Sequence, residues 1–133
     1  MNKLSAFLHP KPVPDKELIL SGRFVDEKGQ PIPVKIRGIM QADQEQLAAA
    51  STHPVTLNGQ EVEKLDMHEY NTRLVLKAMV DPCLTSAEAC QEYGVADPMQ
   101  IPGRLFTSGE FTKLTNEIAK LSGFGKDREE AKN

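Results

Sequence analysis

The stretch "SGRFVDEKGQPIPVKIRGI", residues 21–39, constrains the fold more than any other. Residues 18–25 alternate, with Leu18, Leu20 and Phe24 on one parity and Ser21 and Arg23 on the other. "DEKGQP" then supplies turn chemistry: Gly29 takes a positive φ, and Pro31 is kept out of a central ladder position. The return run repeats the alternation, with Ile32, Val34 and Ile36 facing one way and Pro33, Lys35 and Arg37 the other. This is a β-hairpin with one apolar face. Two strands alone are marginal in water, so another element must cover that face.

The rest of the chain supplies helices for the purpose. "QADQEQLAAAS", residues 41–51, favours helix by composition. "STHPVTLNGQEVEKL" is a connector in which Pro54 blocks helix and Asn58-Gly59 marks a turn, which suits a small second hairpin. Asp66 and Glu69 cap the start of a helix whose Met67, Tyr70, Leu74, Val75, Ala78 and Met79 follow helical spacing until Asp81-Pro82 ends it. Thr85 and Glu88 read as a second capping box, with Gly94 closing that short helix. Residues 97–106 form a short helix or two turns. Thr107 and Glu110 make a third capping box, after which Phe111, Leu114, Ile118 and Leu121 fall at steps of 3, 4 and 3 in one narrow stripe. Gly123 closes this helix, and Phe124 is placed to fold back on Ile118 or Ala119.

The fold class is therefore α+β and mostly α-helical, an N-terminal antiparallel hairpin packed on a bundle of about four to five short helices. Pro10, Pro12 and Pro14 make residues 1–17 an extended N-terminal arm, which Phe7 and Leu8 anchor either on the body or on a neighbour. One domain spans 18–124, with the hairpin at 18–39 and the helical body at 41–124. The tail 125–133 lacks an apolar anchor and is expected to be disordered.

Charge and composition narrow the function. A net charge of −3 opposes non-specific nucleic-acid binding, and 5% aromatics without Trp supply no stacking platform. No apolar run approaches the roughly 20 residues of a membrane span, and "LSAFL" is too short for a signal peptide, so a cytosolic location is expected.

Catalytic constellations do not emerge. His9, His53 and His68 lie in separate segments without ligand spacing, and His9 and His53 read as solvated loop residues. Cys83 and Cys90, if on one helix, stand about 10 Å apart at ~1.5 Å per residue, too far to bridge. "TSGE" lacks the frame of a nucleophile elbow, and no glycine-rich loop cradles phosphate. The acidic set Glu61, Glu63, Asp66 and Glu69 is explained by a solvated loop and a helix start. No enzyme activity, cofactor or metal is expected. What remains is surface: a strand edge, an apolar stripe and an extended arm, which either complete the core or bind another chain. The candidate partner-binding residues are Phe106, Phe111, Leu114, Ile118 and Leu121, with Phe24 and Arg37 of the hairpin.

Taken in order, four pieces resemble the XkdN-like tail assembly chaperones of phages and PBSX-type prophages: "SGRFVDEKGQPIPVKIRGI", "LDMHEYNTRLVLKAMVDPCL", "QEYGV" and "PGRLFTSGEFTKLTNEIAKLSGF". The likeness covers residues 4–124. It departs from the pattern at "MQADQEQ", where the helix cap is weaker, and at "DPMQIPGRLF", where a proline interrupts expected helix. The resemblance implies a non-enzymatic chaperone in the host cytoplasm, absent from the mature virion, that binds the tape measure protein and keeps it soluble while the tail tube assembles. It admits the tail tube protein and self-association as further partners, and no nucleic acid or membrane. It also implies a longer frameshifted product, with which the A-rich codons of "AKN" are compatible. The alternative is a structural virion subunit of the tail or head–tail connector.

Overall fold

The computed structural model describes residues 2–124. The expected disorder of 125–133, and the codons behind "AKN", lie outside the described residues. The chain runs through α1 (Lys3–Leu8), β1 (Lys16–Leu18), β2 (Val34–Ile36), α2 (Gln41–Ala50), β3 (Thr52–Leu57), β4 (Gln60–Leu65), α3 (Met67–Ala78), β5 (Met79–Asp81), α4 (Ala87–Tyr93), a 3-10 turn (Pro98–Gln100), α5 (Pro102–Leu105) and α6 (Ser108–Leu121). The α+β class holds.

The N-terminal hairpin is present, with a shorter ladder than its alternation predicts. β1 pairs antiparallel with β2 from Lys16↔Ile36 to Leu18↔Val34, and beyond it only the bridge Val25↔Pro31 joins the two limbs. Residues 19–24 leave the ladder because Leu20 turns into the core, 4% exposed, while Ser21 and Arg23 are drawn to Glu110 of α6. At the tip, Asp26 Oδ1 accepts the Lys28 and Gln30 N–H groups at 2.8 and 2.9 Å, and Gly29 turns the chain with φ +80°.

β2 is not an edge. Met79 and Val80, expected to continue α3, instead form β5, which pairs antiparallel with β2 and gives the sheet order β1-β2-β5. Pro82 disfavours helical backbone at Asp81, and the Ala78 carbonyl accepts Arg37 N–H at 2.9 Å, so leaving the helix early satisfies the strand. The return strand is thus paired on both sides, and the outer strands of this sheet are β1 and β5.

Two further expectations shift. The arm is not extended throughout: the prolines begin only at Pro10, and Asn2 Oδ1 accepts Ser5 N–H at 2.8 Å to start α1. The cap of α4 is Ser86, accepting Ala89 N–H at 3.1 Å, one residue after Thr85. The β3–β4 hairpin forms as foreseen, with Asn58 and Gly59 both at positive φ (52° and 78°), the primed turn that matches strand twist.

The core lies where α3 and α6 cross beneath β2. Ile36, Val75, Ala78, Ile101, Leu114 and Ile118 are fully buried, joined by Val34, Leu74, Leu76, Met79 and Leu84. Burying each such large side chain is worth about 1.5–3 kcal/mol. Gly38 is needed here for close approach: a Cβ at this position would stand 2.8 Å from the Leu121 carbonyl oxygen. Beside it, the Ser122 hydroxyl accepts Ile39 N–H at 3.0 Å and donates to the Ile118 carbonyl at 2.7 Å.

Candidate functional site: an apolar cleft beside the sheet

The site begins with a buried carboxylate. Glu110 is the third residue of α6, where it completes the capping box: its Oε1 accepts Thr107 N–H at 2.8 Å, and Thr107 Oγ1 accepts Glu110 N–H at 3.2 Å. The same carboxylate accepts the Ser21 hydroxyl at 2.5 Å and pairs with Arg23. The Ser21 hydrogen bond, reinforced by Thr107 and the Arg23 charge, holds the Glu110 carboxyl below its ordinary value against the opposing effect of burial.

Arg23 in turn sets the neighbouring aromatic. Its guanidinium donates to the Leu105 carbonyl at 3.3 Å and lies 5.3 Å from the Phe24 ring centroid. Phe24 meets Phe106 edge to face, 6.1 Å between centroids at 71°. Between this aromatic pair, the hairpin tip and the end of β5 opens a cleft of about 480 Å³. Val34 and Met79 line its buried floor, Val25 and Ile32 one wall, Leu105 and Phe106 the other, and Asp81 and Pro82 its mouth. Val25 and Ile32 remain 44% and 45% exposed. Its lining is mainly apolar, with a few polar groups at the edge, the composition of a binding pocket.

Of the residues singled out in sequence, Phe24 and Phe106 meet here. Phe111 and Leu121 are half-buried against the core. Leu114 and Ile118 have no exposed surface, so a partner reaches that stripe only through its flanks. Arg37 does not line the cleft and pairs with Asp43 at 3.5 Å. Val25, Ile32 and Leu105 were missed; their parity marks them as hairpin or helix residues, and only the departure of 19–24 from the ladder leaves them facing a gap. Phe124 does not fold away and stays 52% exposed.

A second hollow of about 520 Å³ lies between α2, α3 and residues 83–99. Its cations are engaged, Arg73 by Glu69 at 3.1 Å and Lys77 by Asp43 at 3.5 Å. His53 is not a free loop residue, for its Nε2 lies 2.5 Å from Glu69 Oε2. Cys83 precedes α4 rather than sharing it with Cys90, and both thiols are free. No group of three or more potential metal ligands occurs among the described residues. No helix among them is long and apolar enough to cross a membrane.

Helices carrying a short sheet, with an apolar cleft at its margin, define a binding fold, and comparison with known proteins places it. The chain belongs to the phage XkdN-like tail assembly chaperone family, whose model matches residues 4–133. Among individual proteins it is similar to the phage-like element PBSX protein XkdN of Bacillus subtilis (strain 168), 29% identical over 138 residues, covering 98% of this chain and 93% of that one. It is also similar to the uncharacterized protein YqbN of the same strain, 26% identical over 116 residues, covering 86% of this chain and 78% of that one. The crystal structure of YqbN shares the fold, with a TM-score of 0.75 at 23% identity, covering 90% of this chain and 95% of that one.

Proposed function

We propose that this chain holds a tape measure protein during tail assembly, in the host cytoplasm, and leaves before the virion is complete. The observation that carries the reading is the grouping of exposed apolar residues. Isolated exposed apolar residues are ordinary on a protein surface. Here Val25 and Ile32 line one cleft, and Leu4, Phe7 and Leu8 stand together on α1, each at least 40% exposed. A long helical client with exposed apolar stripes aggregates alone, and a non-enzymatic holder needs such grouped surface on an otherwise acidic body. The cleft, with Phe24 and Phe106 in its walls, is the proposed seat of the client; Phe111 and Leu121, half-buried on α6 outside its lining, are proposed as secondary contacts.

Co-expression with the tape measure gene tests the reading: that protein should be soluble only when this one is present. Replacing residues 26–31 with a shorter turn removes the support of Val25 and Ile32 and should weaken client binding more than folding. A client equally soluble without this chain overturns the proposal. The second reading, a structural tail or connector subunit, predicts that mass spectrometry detects the chain in purified particles, where a chaperone is missing.

A further inference from the structure

We propose that α1 of one copy docks in the apolar cleft of a second copy, so that the chain associates head to tail through its own N-terminal arm. The helix presents Leu4, Phe7 and Leu8 on one face, at the i, i+3 and i+4 positions, and they are 66%, 74% and 65% exposed. It buries none of its residues, and every residue from Ala6 to Glu17 is exposed. A six-residue helix is marginal by itself and gains stability when its apolar face is covered. Its own body does not cover it.

The geometry points away from the helix's own cleft. The arm leaves the sheet at Lys16, opposite Ile36, whereas the cleft rises from the other end of that ladder, where Leu18 meets Val34 and the chain runs out to Val25 and Ile32. Pro10, Pro12 and Pro14 stiffen the intervening residues 9–15, which as a polyproline-type spacer reach about 20 Å outward and resist doubling back. A neighbour's cleft is within reach of such a projection.

Charge favours the same pairing. Lys3 and Lys11 give the first fourteen residues a charge of +2 with no carboxylate, and the chain as a whole is −3, which leaves −5 on the rest. At the cleft, Arg23 is already neutralised by Glu110, while Asp81 at the mouth makes no ion pair among the described residues. A basic, apolar helix meets an apolar cleft with an acidic mouth. The contact is heterologous, one surface on each copy, so it extends into a chain or closes into a ring.

Self-docking is measured on the purified full-length chain alone, which separates it from the client-binding reading of the same cleft. Sedimentation velocity should show mass above the monomer that rises with concentration. Phe7→Glu (arm) and Ile32→Glu (cleft), with Val25→Glu as a second cleft variant, should each weaken association roughly tenfold or more, as loss of a central anchor does. Circular dichroism and thermal melting identify variants that remain folded. The decisive arm mixes Phe7→Glu, whose cleft is intact, with Ile32→Glu, whose arm is intact: they should form a one-to-one dimer that grows no further. A wild-type chain that stays monomeric up to about 100 µM, the weak end of transient contacts, overturns the proposal. So does unaltered association of Phe7→Glu, or a folded pair of variants that remain apart when mixed.

Discussion

Glu110 concentrates the chemistry of the fold in one side chain. It closes its own helix cap, takes the Ser21 hydroxyl and neutralises Arg23, which supports Phe24. Because its carboxyl titrates below the ordinary value of a glutamate, the stability it contributes is complete above that ordinary value and is lost as pH falls through the lower folded one. Urea unfolding midpoints measured from about pH 6 down to about pH 3 should fall more steeply for the wild type than for Glu110→Gln, and the variant should be less stable at neutral pH. Gly38 gives a second, independent test. A methyl group there meets the Leu121 carbonyl, so Gly38→Ala should cost about 1–3 kcal/mol in chemical denaturation, with no cleft residue touched. The capping role of Glu110 is readable from Thr107-x-x-Glu110. Its grip on Ser21 is not, because nothing local joins residues 89 positions apart.

Among the elements, α6 and α1 behave as opposites although both carry apolar faces. Leu114 is fully buried under the sheet, and Leu114→Ala should cost about 2–5 kcal/mol by the cavity it leaves. Phe7→Ser, on a helix that buries nothing, should leave the unfolding free energy of a dilute monomer within about 0.5 kcal/mol. Equilibrium denaturation of both variants checks the contrast. The start, stripe and end of α6 were legible because caps and periodicity are local signals. The stripe's destination was not, since a narrow apolar row serves a core and an interface alike. α1 was hidden by the prolines that follow it, which forbid helix only from their own neighbourhood onward. β5 was hidden because Met79-Val80 extends a helical pattern without a break, and only pairing with β2 decides otherwise.

At the level of the assembled chain, the sequence pattern located the hairpin and its apolar face, and the structure divides that face in two. Leu20 and Ile36 enter the core, Val34 is shared between the core and the cleft floor, and Phe24 and Ile32 line the cleft walls. The question of why a helical protein carries such a hairpin thus has a physical answer: its base completes a three-stranded sheet, and its tip holds open a recess that the helices alone do not form.

Helix α6 grips this hairpin near both of its ends, by Glu110 at the start and by Ser122 and the Leu121 carbonyl against Ile39 and Gly38 at the finish. Those anchor points stand about 18 Å apart along the helix axis. A segment tethered twice to a single stiff rod has little freedom to breathe. Whatever enters the recess therefore meets a mould that already has its final shape, and the ordering entropy of the encounter falls almost wholly on the guest.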